Sequence, residues 1–444
     1  MDGRRMPAWL IFDGADASAE AVLGLSAYVR AGGNGPAREV LRRLAEGIER
    51  MSAGSARVWP FGATLPYAKS RAIWHAWGSQ MPAALAHASR ALNDRSLLDT
   101  AVADTAGFTP HLLIGGGPDQ AWLPTPADRS QIAYGADSRV QNLLAVAEAA
   151  HAPGLRKLAG NAASWYFGNN DSGAATYDPA TGRTFDGVEA GGKVNRNSGA
   201  ESTIHGLLTM LALDAAPDVA ASARVAGLRD RQNPRLLEAE DARLRGDAEV
   251  VRPESAWTGE SQWSGGRYVS LGPGASLSLD VPGDAGAWLA MPVVHRTEGR
   301  TGGRSAWTAA GRSLGTVRHS GAGAQGVSAV PGVLEMATLP GRIAAQRDGS
   351  VLRATGSGKE RVRVDAVLVQ PMIERMVLAG GGHGRALLRS FDTERRVVPV
   401  AVPGRGTATV VTYDGSGRQV ARSHAVGEQV AALVVPGGFT VIER

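Results

Sequence analysis

The 444-residue sequence predicts a multi-domain chain that is helical in its first half and all-β in its second. Three observations carry that expectation. Up to about residue 230, Ala, Leu and Arg recur at spacings of three and four between Gly, Pro and Asn breaks. From Leu236 onward apolar residues alternate with period two, in runs such as RYVSLGP, ASLSLDVPG and RVRVDAVLVQP. The β half, roughly 200 residues punctuated by Gly-rich turns, is longer than one sandwich needs.

In chain order, helices are expected at roughly 16–31, 36–53, 68–92, 96–107, 129–150, 154–167 and 199–213. Consecutive helices joined by short loops form antiparallel hairpins, and a succession of hairpins buries apolar faces on both sides, which favours a bundle or a toroid of hairpins. About seven helices fall short of the twelve of a six-hairpin ring, so a toroid here is incomplete. The polar, Pro-containing DRQNPRLLEAE marks the first boundary and Pro371 the second. The expected units are therefore 1–232, 236–371 and 372–444.

Composition narrows the function. Hydrophobic residues at 43% and charged residues at 20% describe a folded globular chain. Cys is absent, which removes disulfides, thiolate metal sites and a Cys nucleophile. The net charge of +5 is nearly all Arg, scattered among Asp and Glu, so no nucleic-acid partner is expected. No apolar run is long enough to span a bilayer, so no membrane partner is expected. The N-terminal MDGRRMPAWLIFDGADAS holds an apolar stretch too short for a secretory signal, so either the signal is missing or the protein stays inside. No HExxH, GxSxG, GxGxxG or P-loop pattern occurs, which leaves carboxylate chemistry.

LLEAEDARLRG (236–246), QWSGGRYVSLGPGASLSLDV (262–281) and the closing VRVDAVLVQP (362–371) together resemble the carbohydrate-binding modules of families six and thirty-five over about 135 residues. The resemblance implies a β jelly roll with a structural Ca2+ held by Glu238, Glu240 and Asp365. It also implies a saccharide partner and an extracellular setting. An acid at Asp365 inside an otherwise apolar strand is costly without a partner, which agrees with a cation. The alternative is that Glu238 and Glu240, two apart on a strand, share a solvated face. Sugar stacking needs an aromatic platform. Trp257, Trp263 and Trp307 lie in polar Gly/Ser-rich segments and are its candidates, whereas Tyr268 and Trp288 read as core. The 372–444 unit is expected as a small β-sandwich without chemistry of its own.

In the helical half, IAYGADSRVQNLLAVAEA places Tyr134, Asp137, Arg139 and Gln141 beside an apolar face. More than thirty residues of Asn-, Asp- and Gly-rich loop then run from Phe167 to Ala200, longer than a hairpin connection requires. Ser198 and Glu201 match the Ser-x-x-Glu capping box, and Glu201 at the helix mouth is equally placed to handle substrate. Asp16 or Ser18 reads as an N-cap. Trp74 and Trp77 share a face if WHAWGSQM is helical, either as core or as a sugar-stacking wall. These entrances resemble the inner-helix mouths of α/α-toroid carbohydrate-active enzymes.

The expected function is therefore a carbohydrate-active protein, a glycoside hydrolase acting on a poly- or oligosaccharide through two carboxyl groups. Glu201 and Asp137 lead as catalytic candidates, with Asp186, Glu189 and Asp178 as loop alternatives. Tyr134, Arg139, Asn169, Asn170, Asn195, Asn197, Trp74, Trp77 and Trp263 are the expected substrate-binding residues. The alternatives are a non-catalytic glycan-binding protein on a truncated toroid scaffold, or a sugar lyase or epimerase.

Overall fold

A computed structural model describes residues 7–283, 286–323 and 332–444. The helices are α1 (Ala15–Arg30), α2 (Gly35–Glu49), α3 (Met81–Leu92), α4 (Leu98–Val102), α5 (Thr109–Gly115), α6 (Ala133–Ala150), α7 (Pro153–Ala163), α8 (Ala200–Asp214) and α9 (Pro217–Ala223). Local signals start several of them. Asn34 caps α2 by accepting from the Ala37 amide at 3.0 Å, and Pro occupies the first turn of α2, α3 and α7. In α1 the buried positions Ala15, Ser18, Ala19, Val22 and Ser26 form one helical stripe.

The expected helix at 68–92 begins only at Met81. Trp74–His75 is instead a short strand paired with Asp119–Trp122, and Gly78 turns the chain at a φ of +61°. Trp74 and Trp77 therefore do not share a helix face. Alternation sends Trp74 into the core, while the turn leaves Trp77 half exposed. The expected helix at 96–107 runs through a π-helical stretch at Ala103–Phe108 into α5, and the expected start at 129 is a strand, Asp128–Ile132.

Helix packing runs α1 on α3, α3 on α6 and α6 on α8, with α2, α7 and α9 returning outside this row. The N-terminal ends of α1, α3, α6 and α8 meet at one end of the domain. There a small sheet of Trp74–His75, Asp119–Trp122, Asp128–Ile132, Gly187–Val188 and Val194–Asn195 supports them.

The middle unit is a sandwich of two antiparallel sheets. One comprises Arg243–Arg245, Ser276–Val281, Arg304–Ala309, Arg312–Arg318 and Ser350–Ser357. The larger one is centred on Val362–Pro371 between Tyr268–Leu271 and Trp288–Thr297. Leu277, Leu352 and Trp307 meet Val269, Val294 and Val364 in its core.

The last unit shifts an expected boundary. Gly227–Gln232, placed by the sequence in the helical domain, pairs with Ile373–Gly380 as the edge strand of the C-terminal six-stranded sheet. The middle sandwich is thus inserted between the first and second strands of the C-terminal one. Buried polar contacts join the units: His111 Nδ1 lies 3.0 Å from Glu374 Oε2, and Ser70 Oγ donates to Glu260 Oε2 at 3.1 Å.

Candidate functional site

The mouth formed by the four helix starts gathers titratable groups. Asp16 and Glu20 lie one turn apart on α1 and so project to one side. The Tyr134 hydroxyl, at the start of α6, donates to Glu20 Oε1 at 3.4 Å and also meets Gln80 ahead of α3. The Tyr134 ring stacks on His205 of α8, centroids 4.0 Å apart and planes at 15°. Burial pushes the Tyr134 hydroxyl up to about 12, reinforced by the charge of Glu20, so it remains a proton-bearing donor. Burial also raises the carboxyls of Glu20 and Asp16 above the ordinary range.

Asp137 lies beneath this surface, 1% exposed. It accepts from His205 Nδ1 at 2.7 Å, from Thr209 Oγ1 at 2.7 Å and from Gln141 Nε2 at 3.0 Å. Its oxygens are consumed by these donors, so it orients His205 and does not face a ligand. With Nδ1–H donating to the carboxylate, His205 Nε2 carries the free lone pair of the ring.

Glu201 is exposed one turn before His205, and its charge acts on the Tyr134 hydroxyl. The Ser198 capping box does not form: Gly199 is the N-cap, and the Ser198 hydroxyl pairs with Thr203 Oγ1 at 3.1 Å. Asp186 performs that task from outside the helix, accepting from the Gly199 amide at 2.8 Å and Ser202 Oγ at 2.7 Å. Glu201 is left with no hydrogen bond or ion pair among the described residues, and Asp186 is engaged structurally.

A second arm of the mouth contains His75, Tyr67 and Trp77. His75 Nδ1 lies 2.7 Å from the Trp77 carbonyl, and His75 Nε2 is 3.2 Å from the Tyr67 hydroxyl and 3.7 Å from Asp16 Oδ2. Burial lowers its pKa to about 4, so the ring is neutral. Trp77 stacks on it at 3.7 Å with planes 3° apart, which fixes a half-exposed indole at the opening.

The other expected residues are scaffolding. Arg139 is buried, donates to Asp104 Oδ1 at 2.8 Å and to Ser79, and lies over the buried Trp74 ring. Asn169 bonds Ser164 Oγ, and Asn170 bonds the Trp165 and Ala174 carbonyls, so both amides shape the start of the long loop. Asn195 accepts from the Asn197 amide, and the Asn197 carbonyl accepts from Asp186. Asp178 closes its own turn with Ala180 and Thr181, and Glu189 pairs with Lys193. Glu20, Tyr67 and His205 escaped the sequence reading; Asp16 was read as an N-cap, a place Gly14 takes, and His75 and Gln80 were not read as site residues. The four-residue spacings Asp16–Glu20 and Glu201–His205 are the signals that could have found them.

In the middle sandwich Glu238, Glu240 and Asp365 converge on the Ser264–Gly265 turn. Asp365 Oδ1 accepts from the Ser264 amide at 2.9 Å, and Glu238 Oε1 accepts from Ser264 Oγ at 2.7 Å. A Cβ on Gly265 would meet Glu240 Oε1. Asp365 Oδ2, Glu238 Oε2 and Glu240 Oε2 are buried without a hydrogen-bond partner. Burial raises the Asp365 carboxyl well above its ordinary range, and the charges of Glu238 and Glu240 add to that. Among the described residues no three His, Cys, Asp or Glu side chains stand as a ready-made metal cage. The orphaned oxygens are of the chemical type a hard cation takes. Of the aromatic candidates, Trp307 is in the core, Trp263 is buried and stacked on Tyr268 at 4.3 Å, and Trp257 is half exposed.

No family model matches the sequence, and no curated protein matches it. Among solved structures, an exo-β-1,3-galactanase from Phanerochaete chrysosporium aligns at 17% identity, over 31% of this chain and 29% of its own, with a TM-score of 0.23. The CBM36-1 domain of a multidomain xylanase from the hindgut metagenome of Trinervitermes trinervoides aligns at 11% identity, over 31% of this chain and 96% of its own, with a TM-score of 0.23. A Paenibacillus xanthan lyase aligns at 10% identity, over 48% of this chain and 26% of its own, with a TM-score of 0.25. The chain thus spans under a third of the galactanase and of the lyase.

Proposed function

We propose that the chain is a carbohydrate-active protein whose helical mouth hydrolyses glycosidic bonds. The observation that carries this reading is the meeting of Glu20, Tyr134, the His205–Asp137 pair and Glu201 where α1, α6 and α8 begin. Hydrolysis needs one carboxyl that keeps its proton for the leaving oxygen and a second carboxylate as base or nucleophile. Glu20, raised by burial, is the proton donor, and Glu201, exposed and unpaired among the described residues, is its partner. Trp77, locked on His75, offers the apolar face on which a sugar ring stacks. The acidic lining favours an uncharged saccharide, because the Glu201 carboxylate repels a uronate carboxylate.

The middle unit is read as a carbohydrate-binding-module-like jelly roll. Glu238, Glu240 and Asp365 would hold a calcium ion in it, which when bound supplies the positive charge that three converging carboxylates lack.

Reducing-sugar release across a panel of neutral polysaccharides tests the hydrolytic reading. Wild type is expected to release new ends, and Glu20→Gln and Glu201→Gln are each expected to lose at least about 100-fold. Activity untouched by both changes contradicts the assignment. Retention on a glycan affinity gel without turnover by wild type replaces it with a binding role, and product without new reducing ends replaces it with a lyase or epimerase.

A further inference from the structure

The strand His383–Ser390 of the C-terminal unit is buried along nearly its whole length, because both of its faces are covered. Alternation turns Ala386 and Leu388 into the core of the C-terminal sandwich, and Arg385, Leu387 and Arg389 toward the helical domain. Two arginines on one buried face each need acceptors and a counter-charge. Arg389 has them. Its Nε and Nη2 donate to the Gly107 and Ala56 carbonyls, both at 3.0 Å, and its Nη1 lies 3.7 Å from Glu374 Oε1.

Arg385 does not. It is 1% exposed, and only its Nη2 donates, to the Lys157 carbonyl, while Nε and Nη1 are buried without a hydrogen-bond partner among the described residues. The carboxylate beside it, Glu443, is 3.9 Å from Nε and is already held by Lys157 Nζ at 2.6 Å and Ser222 Oγ at 3.1 Å. Helix α7 pins the guanidinium, since a Cβ on Gly160 would come within 3.0 Å of its Nη1.

Arg385 lines a cavity of about 300 Å³ where α9 meets the last strand, Phe439–Glu443. Arg444 lines it too, with Nη1 on the Val402 carbonyl at 2.9 Å, Nη2 on the Gly427 carbonyl, and Nε buried without a partner. Two guanidiniums anchored on carbonyls thus keep N–H donors at the wall of one cavity, where Glu443 is the one carboxylate side chain. His383 lines this cavity and also a neighbouring one of about 410 Å³ around the Gly381–Gly382 turn. There Arg229 and Arg405 stand exposed, without an ion pair among the described residues, and no acidic side chain lines the wall. Four arginines therefore face one glutamate that Lys157 already shares. A single carboxylate would leave most of that charge unmet, whereas guanidinium forks match the paired oxygens of phosphate, which carries more charge.

We infer that the two cavities form an anion site for a ligand bearing phosphate groups, one phosphate held by Arg385 and Arg444 and a second anionic group by Arg229 and Arg405. The inference goes beyond the hydrolytic reading and does not depend on it, because the site shares no residue with the helical mouth and selects by charge.

Isothermal titration of the full chain at constant ionic strength, with pyrophosphate, orthophosphate and acetate as probes, tests it. Pyrophosphate is expected to bind at least about tenfold tighter than orthophosphate, and orthophosphate at least about tenfold tighter than acetate. Arg385→Gln is expected to weaken both phosphates at least about tenfold with an unchanged circular dichroism spectrum. Arg385→Lys, which keeps the charge and loses the fork, is expected to weaken them severalfold, and it carries the test if the glutamine variant does not fold. Arg405→Gln, on the surface, is expected to weaken pyrophosphate severalfold and leave orthophosphate nearly unchanged. Fructose 1,6-bisphosphate binding tighter than pyrophosphate supports the site with a phosphate ester as its ligand, and looser binding supports it with inorganic phosphate. Acetate binding as tightly as orthophosphate, equal binding of the two phosphates, no binding of pyrophosphate at millimolar concentration, or full affinity in a folded Arg385 variant overturns the inference.

Discussion

Glu260→Gln isolates the proton linkage at the seam between the helical domain and the middle sandwich. Glu260 is 2% exposed and accepts from Ser70 Oγ at 3.1 Å and from the Leu334 amide at 3.3 Å. Burial pushes its carboxyl from 4.5 up to about 7, against the smaller opposing effect of these hydrogen bonds. Between those pH values the folded chain keeps a proton that the unfolded chain has released, so stability falls as pH rises through the window and levels off above it. At 1.36 kcal/mol per pH unit the loss is about 3 kcal/mol. For the roughly 140-residue sandwich, with an unfolding entropy of about 0.3 kcal/mol/K, that is about 10 °C. The glutamine side chain is neutral throughout, so scanning calorimetry from pH 4.5 to 7.5 is expected to show the wild-type transition falling by about that much relative to the variant. Asp119, raised by burial to about 7, and His75 and His319, lowered by burial to about 4, titrate in both proteins and cancel in the difference. Parallel wild-type and variant profiles would refute the reasoning.

Millimolar calcium at 100 times its Kd is expected to stabilise the sandwich by about 2.7 kcal/mol over chelator-treated protein, with Asp365→Asn abolishing the increment; identical calorimetric transitions with calcium and chelator count against the metal. Arg139→Met strands Asp104 in the core and is expected to cost 3 to 5 kcal/mol, read as a lowered helical melting transition, whereas adding Asp104→Leu recovers much of it. Asp137→Asn keeps the shape but loses the charge that orients His205; kcat is expected to fall more than tenfold with KM little changed and the pH–rate profile altered. Gly206→Ala places a methyl against Thr184 Oγ1, and thermal melts are expected to show a loss of about 1 to 3 kcal/mol.

What the sequence revealed depended on how local each determinant was. The starts of α1, α2, α7 and α8 lie within one residue of the expected ones, because Asn34 and the prolines at 36 and 153 mark entries within the helix itself. The segment 68–80 misled because its aromatic spacing suits a helix, while its actual partner strand lies more than forty residues downstream. Gly227–Gln232 was misassigned for the same reason, since its partner Ile373–Gly380 lies beyond an inserted domain. In the mouth, Tyr134 and Glu201 were legible from their helix starts. Glu20 was not, because only the tertiary approach of α1 to α6 brings it to the Tyr134 hydroxyl. Asp137 stood out as an acid beside an apolar face, and its burial gives it an orienting role. Asp365 was legible as an acid inside an apolar strand, whereas Glu238 and Glu240 were named through the resemblance to carbohydrate-binding modules and not from a pattern of their own.

The most direct measurement is a crystal structure of the Glu201→Gln protein soaked with a neutral oligosaccharide. A sugar ring lying on Trp77, with its glycosidic oxygen within hydrogen-bond reach of Glu20 and the glutamine amide on the opposite side, is the predicted result. A glycan bound only to the β-rich units, with the helical mouth empty at saturating ligand, would contradict the account.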